Sequence, residues 1–302
     1  MSAIFDTQNQ HLPMRFASYN INNRITYGSV IEKENTIFLT DIGKDYGYDL
    51  CHWIKTGALD KLIAIARNTE ISYREKEVVY LSPILSGEKI ACIGVNYANR
   101  NAEYKDNSDV PKYPSLFLRY QDSFTGHKEN LVRPPESNQL DYEGEIVIII
   151  GKPGRRIPEN KAFEHIAGLT LMNEGTIRDW VRHAKFNVTQ GKNFEKSGAI
   201  GPWMVTADEI KDYTNLTIET RVNGEIRQQD STINLMFSFA YIISYLSTFM
   251  TLKPGDMIST GTPNGAGARF TPPIYLTPGD IVTVEVPEIG ILKNGIEDEI
   301  LL

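Results

Sequence analysis

The sequence predicts an α+β fold that is mainly β, with a small N-terminal domain ahead of a larger C-terminal one. From about residue 86 onward, short apolar runs recur between turn residues, as in IACIGV, GEIVIII, AGLTLMN and DIVTVEV. Helical spacing of apolar residues is limited to a few segments. The chain also lacks the regular strand–helix alternation, the G-x-G-x-x-G motif and the P-loop of nucleotide-binding folds.

Residues 1–82 are predicted to form the small domain and residues 83–302 the larger one. Within the first, residues 1–13 are interpreted as a flexible leader. Residues 15–42 alternate short apolar runs with turn residues, which is typical of a few strands. Residues 50–67 predict a helix, because four apolar residues recur at helical spacing: Leu59, Leu62, Ile63 and Ala66.

The larger domain is predicted to contain three further helices, over residues 159–166, 175–184 and 231–249. Two turns between its strands share the sequence Pro-Gly-Asp, at residues 254–256 and 278–280. Proline sets the turn angle there, and glycine accepts a positive φ. The apolar stretch near residue 240 is broken by serine, threonine and tyrosine, so it is too polar to span a membrane.

Composition argues against several classes of partner. Of the 302 residues, 41% are hydrophobic and 23% charged, which is ordinary for a soluble globular protein. The formal net charge of −7 argues against nucleic acid, because phosphate binding requires a basic face. The N-terminus lacks the basic start and apolar core of a signal peptide, so we expect a cytoplasmic protein without a membrane partner. Cys51 and Cys92 are interpreted as free thiols.

Two acidic residues, Glu143 and Glu145, stand two apart just ahead of a buried-strand pattern. On a strand, such side chains point to the same face, about 7 Å apart. A second apolar strand pattern ends at Glu174. A hard divalent cation prefers several oxygen ligands and would neutralise the like charges. The alternative for the pair is a solvated strand end, since the sequence leaves open whether the two strands are neighbours.

Seven segments between about residues 86 and 297 resemble the fumarylacetoacetate hydrolase family, in that family's order. They include LDYEGEIVIIIGK, MNEGTIRDW, QGKNFEKSGAIGPW and STGTPNGAG. The resemblance is close to bacterial members described as 2-hydroxyhepta-2,4-diene-1,7-dioate isomerases, and extends to acylpyruvases. It implies the rolled mixed β-structure of the family's C-terminal domain, and a homodimer.

The resemblance also implies a metal site for Mg²⁺ or Mn²⁺. Its ligands would be Glu143, Glu145 and Glu174. The family usually has aspartate at the third position, and the longer glutamate would require a shift of the metal, a folded side chain or a bridging water. Alternatively, Glu174 does not bind the metal directly, and a water molecule takes its place as the third ligand.

Three further residues match substrate-contacting positions of the family, and a fourth, Arg119, lies in a segment near the family's site. Lys192 corresponds to a lysine at the substrate oxyanion, and Arg178 and Thr262 to groups that bind the substrate carboxylate. Arg178 has the alternative of a plain ion pair with Asp179 or another surface acid. Arg119 could hold the distal acid of a dicarboxylate, or be structural.

The implied activity is that of a metal-dependent enzyme acting on a 2-oxo acid or a 1,3-diketo acid through a stabilised enolate. The reaction would be C–C bond hydrolysis, decarboxylation or isomerisation. Hydrolytic members share N-Y-x-x-H-x-x-E, but here Arg100 replaces the histidine while Glu103 is kept. Because arginine stays protonated, it cannot act as a general base.

The departure at Arg100 leaves several interpretations open. Glu103 could act as the base alone, or the chemistry could need no activated water. Arg100 could also hold an anionic group of an unusual substrate. The non-enzyme alternative is a degenerate or repurposed family member that binds a small-molecule carboxylate.

Overall fold

A computed structural model describes residues 14–98, 111–183 and 187–301 of the chain. Strands dominate these residues and helices are few and short, which confirms the predicted mainly β architecture. The strands are β1 Arg15–Ile21, β2 Arg24–Lys33, β3 Thr36–Thr40, β4 Ile71–Arg74, β5 Val79–Tyr80, β6 Ile90–Ile93, β7 Leu116–Arg119, β8 Phe124–Thr125, β9 Leu131–Arg133, β10 Leu140–Asp141, β11 Gly144–Ile150, β12 Ile166–Asn173, β13 Thr176–Ile177, β14 Gly198–Thr206, β15 Thr217–Val222, β16 Glu225–Ser231, β17 Met257–Ser259, β18 Ile281–Val286 and β19 Gly290–Asp298.

The helices connect these strands. The α-helices of the described residues are α1 Gly43–Tyr46, α2 Leu50–Lys55, α3 Leu59–Ala66, α4 Thr189–Lys192 and α5 Phe239–Phe249. Short 3₁₀ helices cover Glu75–Glu77, Gln121–Ser123, Glu159–His165, Trp180–Arg182, Ala207–Glu209, Thr232–Asn234 and Gly267–Arg269. No helix in these parts of the chain is long and apolar enough to cross a membrane.

Two large sheets build the molecule. The main path of the twelve-stranded sheet runs β4-β3-β2-β1-β14-β12-β11-β17-β6-β7, while β5 pairs with β1 and β8 with β14. The five-stranded sheet runs β16-β15-β18-β19-β9, and β10 and β13 form a separate pair. Most pairs are antiparallel, but β17–β6, β14–β8 and β19–β9 are parallel, so the β-structure is mixed.

Strands β11 and β12 lie in the interior of the large sheet and are buried along their whole length. Ile146 and Ile148 pack in one apolar cluster, whereas Val147 and Ile149 pack in the other. Because side chains of a strand alternate between faces, β11 separates two cores. A strand covered on both faces needs a continuous apolar run, which accounts for the sequence IVIII.

The predicted helix over residues 231–249 begins later than expected, at Phe239. The preceding residues form a 3₁₀ turn over Thr232–Asn234 and are then held by a distant segment: the backbone N–H of Met236 donates to the carbonyl oxygen of Asn96 over 2.7 Å. Asn96 also accepts from the N–H of Phe237 through its side chain, over 2.7 Å. Ser238 then caps the helix by accepting from the N–H of Tyr241. Because these hydrogen bonds go to a distant segment, the local sequence does not show that the helix begins only at Phe239.

The other helix predictions also differ in detail. Residues 159–166 form a 3₁₀ helix that ends at His165. Within 175–184 there is the short strand β13 followed by a 3₁₀ turn over Trp180–Arg182, and residue 184 lies outside the described residues. The segment 50–67 forms two helices, because the chain turns at Gly57 with φ of 66°.

The N-terminal strands extend the large sheet. Strand β1 pairs with β14 in antiparallel register, with Arg15 opposite Val205 and Phe16 opposite Met204. The predicted boundary between residues 82 and 83 falls between β5 and β6. The division into two domains stays a prediction.

Candidate active site

The acidic cluster of the site forms where β11 begins and β12 ends. Antiparallel pairing sets Gly144 opposite Asn173, and the N–H of Glu174 donates to the carbonyl oxygen of Glu143 over 2.7 Å. One carboxylate oxygen from each of Glu143, Glu145 and Glu174 lies within 4.8 Å of the others. The two strand ends are therefore neighbours, and the three carboxylates named as candidate ligands converge.

Lys192, the last residue of α4, holds two of these carboxylates together. Its Nζ donates to Oε2 of Glu143 over 2.6 Å and to Oε2 of Glu174 over 3.0 Å. It also donates to Oγ1 of Thr176 over 2.8 Å. Burial alone would lower the pKa of Lys192, but the charges of Glu143 and Glu174 outweigh it and raise that pKa. Lys192 is therefore a protonated hydrogen-bond donor on the floor of the site.

Glu145 lies deeper and has neutral partners. Its Oε2 accepts from the hydroxyl of Ser259 over 2.6 Å and from the N–H of Gly261 over 2.8 Å. Burial, followed by the charges of Glu174 and Glu143, raises the pKa of this carboxyl well above its usual range. Glu145 is thus the acid of the cluster whose negative charge is least well compensated.

Arg178 joins the cluster from the end of β13. Its Nε donates to Oδ2 of Asp141 over 2.6 Å, and its Nη2 to Oε1 of Glu143 over 2.9 Å. Although burial opposes it, the charges of these two acids raise the pKa of Arg178. Asp179, the acid that the sequence offered as a partner, instead accepts from the hydroxyl of Ser137 over 2.6 Å.

Asp141 is a residue of the site that the sequence analysis missed. Besides Arg178, its carboxylate accepts from the N–H of Gly267 over 2.7 Å and from that of Ala268 over 3.0 Å. Asp141 therefore connects the 3₁₀ turn Gly267–Arg269 to Arg178, which lies beside the acidic cluster. A signal existed, since Asp141 precedes Glu143 at the same spacing of two that drew attention to the glutamate pair.

Arg119 lies behind the cluster. Its side chain is fully buried, and Nη1 donates to Oε1 of Glu174 and to the carbonyl oxygen of Gly175. The remaining donors bond to Ser123 and Ser197. Since all five N–H groups of an arginine are then used by protein acceptors, this placement favours the structural role that the sequence left open.

The remaining predicted residues lie in different surroundings. Thr262 is buried, and its Oγ1 accepts from Nε2 of Gln228 over 2.8 Å. The side-chain oxygen of Gln228 in turn accepts from the N–H of Gly144, next to the glutamate pair. Arg100 and Glu103 lie outside the described residues, so their roles stay predictions.

A cavity of about 930 Å³ opens over the cluster. Glu143, Arg178 and Lys192 line it, together with two arginines that sequence reasoning missed, Arg182 and Arg269. The rest of the wall is largely apolar or aromatic and includes Val95, Leu116, Phe117, Leu118, Tyr120, Val181, Pro273 and Tyr275. An apolar cavity with a few converging polar groups is the usual form of a small-molecule site.

The donor set fits a hard divalent cation. Carboxylate oxygens are the ligands that Mg²⁺ and Mn²⁺ prefer, and the described hydrogen bonds of Glu145 all fall on its Oε2. Four buried carboxylates, including Asp141, face three cationic side chains: Arg119, Arg178 and Lys192. If all are ionised, one negative charge is in surplus, which a bound cation would neutralise.

The family description "Fumarylacetoacetate (FAA) hydrolase C-terminal" matches residues 89–297 of the chain. Among relatives, oxaloacetate tautomerase YisK of Bacillus subtilis (strain 168) is 36% identical over 94% of this chain and 100% of that protein. The mitochondrial oxaloacetate tautomerase FAHD2A of Homo sapiens is 38% identical over 73% of this chain and 70% of that protein.

Solved structures show the same fold. A fumarylacetoacetate hydrolase from Exiguobacterium antarcticum has a TM-score of 0.80 and 31% identity, covering 95% of this chain and 100% of that one. A probable 2-hydroxyhepta-2,4-diene-1,7-dioate isomerase from Mycobacterium abscessus has a TM-score of 0.78 and 28% identity, covering 96% and 100%. Several enzyme activities are thus built on this arrangement of strands.

Proposed function

This chain is an enzyme of the fumarylacetoacetate hydrolase family, and from that premise we propose that it catalyses the keto–enol tautomerisation of a 2-oxo dicarboxylic acid such as oxaloacetate. The observation that carries the proposal is the pairing of a buried acidic cluster with a protonated Lys192 on the floor of a cavity lined by arginines. Relatives described as oxaloacetate tautomerases support it.

The chemistry requires a proton to move between C3 and the 2-oxo oxygen. We propose that Glu143, Glu145 and Glu174 hold Mg²⁺ or Mn²⁺. Such an ion supplies Lewis-acid polarisation of the 2-oxo group when it is bound. Lys192 is suited to donate a hydrogen bond to the oxygen on which enolate charge develops, since a donor already in place needs no reorganisation.

Two other groups complete the proposal. Arg178 keeps its Nη1 free of hydrogen bonds to the described residues while Nε and Nη2 are anchored, so it can orient the substrate carboxylate. Glu103 remains the proposed base for the C3 proton. Neither the orientation of the carboxylate nor the removal of the C3 proton needs an activated water. This suits a chain in which Arg100 replaces the histidine of hydrolytic family members.

The direct test follows decay of the ultraviolet enol band of freshly dissolved enol-oxaloacetate, with Mg²⁺ or Mn²⁺ present. We expect strong acceleration by the wild type and a loss of about 10²-fold or more in Lys192→Gln, the scale expected for one oxyanion donor. Lys196→Gln, at an exposed lysine in the loop that follows α4, is the matched control and should retain activity. Cleavage of acylpyruvates without any effect on the enol band would overturn the proposal.

A second candidate is isomerisation of a longer unsaturated diacid. The cavity volume of about 930 Å³ favours it, because this lies near the upper end of the range of about 300–1,000 Å³ for small-molecule sites. The structural relatives described as 2-hydroxyhepta-2,4-diene-1,7-dioate isomerases point the same way. Dienoic diacids should therefore be tested as substrates in the same ultraviolet assay.

A further inference from the structure

We propose that Lys192 limits the metal affinity of the acidic cluster, because its ammonium group competes with a divalent cation for the carboxylates of Glu143 and Glu174. This role rests on the proposed function, since it concerns the regulation of the metal site proposed there. The three buried glutamates would then bind their metal reversibly, and less tightly than they would without the lysine.

The hydrogen bonds of Lys192 carry the proposal. Its Nζ donates to Oε2 of Glu143 over 2.6 Å, to Oε2 of Glu174 over 3.0 Å and to Oγ1 of Thr176 over 2.8 Å. An ammonium group has three donors and no acceptor, so these bonds use all of them. Two of the three therefore go to carboxylates that are candidate metal ligands.

The backbone around Lys192 keeps the lysine at the cluster. The residue is buried at the end of α4, and its N–H donates to the carbonyl oxygen of Val188 over 3.1 Å. Only glycine fits at position 191, because a Cβ there would lie 2.4 Å from the backbone nitrogen of Val181 and 2.6 Å from the carbonyl oxygen of Ile177. The helix end is thus packed against the segment after β13. Lys192 can shift by side-chain rotation, but its charge stays near the acids.

The other oxygen of each shared carboxylate also accepts from a cation. Oε1 of Glu143 accepts from Arg178 over 2.9 Å, and Oε1 of Glu174 accepts from Arg119 over 3.3 Å. Both arginines have further hydrogen bonds that anchor them, whereas the ammonium of a lysine is a point charge on a flexible stem. A metal ion bound to Glu143 and Glu174 must share their oxygens with these donors, and Lys192 is the one best able to give way.

Electrostatics sets the direction of the effect. One oxygen from each of Glu143, Glu145 and Glu174 lies within 4.8 Å of the others, and Lys192 bonds directly to two of these acids. A divalent cation and an ammonium group repel each other, and a buried site screens this repulsion less than bulk solvent does. The charge of Lys192 should therefore weaken metal binding.

The competition also bears on the proposed reaction. Lys192 lines the cavity, so an N–H that leaves Glu143 or Glu174 can turn to an acceptor on the substrate. The weaker metal affinity would then accompany the release of the hydrogen-bond donor on which the proposed tautomerisation depends. Loss of Lys192 should consequently lower activity while it raises metal affinity.

The test is calorimetric titration of Mn²⁺ into metal-stripped protein, which requires no activity. Lys192→Gln removes the charge but keeps an amide donor for the carboxylates, and Lys192→Met removes both. We expect the Kd for Mn²⁺ to fall about tenfold or more in each variant, because a repelling charge is gone. Lys192→Arg keeps the charge and should stay within about threefold of the wild type. Lys196→Gln, at an exposed lysine in the loop that follows α4, is the matched control and should bind as the wild type does.

If either folded neutral variant binds Mn²⁺ no more tightly than the wild type, Lys192 organises the carboxylates and does not compete for them, and the proposal is wrong. A similar gain in Lys192→Arg would also overturn it. If Lys192→Met does not fold in metal-stripped form, Mn²⁺ should restore its circular dichroism spectrum, and failure to do so would count against the proposal. The tautomerase activity can fail separately: tighter Mn²⁺ binding by the neutral variants, with a wild type inactive on enol-oxaloacetate, would uphold the competition and reject the activity.

Discussion

Glu145 differs from the other two glutamates of the acidic cluster because, among the described residues, its hydrogen-bond partners are neutral. It is also almost fully buried, with 1% of its surface exposed. If the cluster holds a divalent cation, loss of this carboxylate should remove a ligand that no neighbouring charge can replace. The metal site can therefore be tested at this single residue.

Calorimetric titration of Mn²⁺ or Mg²⁺ into metal-stripped protein should show binding by the wild type and none by Glu145→Ala or the closer mimic Glu145→Gln. Glu136→Ala, which removes an exposed acid near the same region of the chain, should bind as the wild type does. Equal heats for wild type and Glu145→Ala would contradict the assignment.

Arg100 carries a second prediction, which rests on its chemistry because the residue lies outside the described ranges. Hydrolysis requires a base to take a proton from water, and a guanidinium cannot do this near neutral pH. Arg100→His should therefore raise acylpyruvate hydrolysis by roughly tenfold or more, a modest part of the usual contribution of acid–base catalysis. Rapid hydrolysis by the wild type, unchanged in the variant, would show that Glu103 or another group suffices.

At the scale of elements, the capping of α5 can be tested separately from the site. Ser238 accepts from the N–H of Tyr241 over 3.2 Å, and the helix begins at the next residue, Phe239. Ser238→Ala should lower the free energy of unfolding by about 1 kcal/mol, measured by chemical denaturation. Ser244→Ala, in the interior of the same helix, should cause no loss because alanine has the higher helix propensity.

The elements also show what a sequence can reveal. Strands β11 and β12 were predictable, because short continuous apolar runs are typical of strands covered on both faces. The start of α5 was not predictable, because a hydrogen bond from Met236 to distant Asn96 decides it. The presence of Arg269 in the cavity lining was hidden for a similar reason, since its turn is positioned by Asp141, far away in the chain.

At the scale of the whole molecule, an ion-pair group joins the predicted small domain to the larger one. Glu75 pairs with Lys128 at 2.6 Å and lies 3.7 Å from Nε2 of His127. Burial opposes ionisation of Glu75, but its interactions with His127 and Lys128 outweigh burial and lower its pKa to about 2, from a usual 4.5. Because the folded pKa is depressed, this stabilisation is complete above about pH 4.5 and is lost as the pH falls toward about 2.

Glu75→Gln should therefore have a lower Tm than the wild type at pH 7, and the difference should shrink as the pH falls below about 5. Thermal unfolding between pH 7 and the lowest pH at which the protein stays folded measures it. The exposed Glu77→Gln variant serves as the control two residues away. A difference that stays constant over this range would show that Glu75 is not the titrating group.

We also propose that the chain forms a homodimer. The outer side of α5 presents partly exposed aromatic rings, with Tyr241 stacked on Tyr245 and Tyr245 on Tyr113. Light scattering at micromolar concentration should give about twice the chain mass of 34.1 kDa. A mass equal to one chain would refute the dimer.

The pairing of β1 with β14 has a consequence for any attempt to divide the protein. Without the N-terminal strands, part of β14 would present unpaired backbone N–H and C=O groups beside the wholly buried side chains of Trp203, Met204 and Val205. An exposed apolar edge of this kind recruits strands from other molecules. A fragment starting at residue 83 should therefore self-associate into insoluble material. By pairing with β14, strand β1 protects the protein from this aggregation.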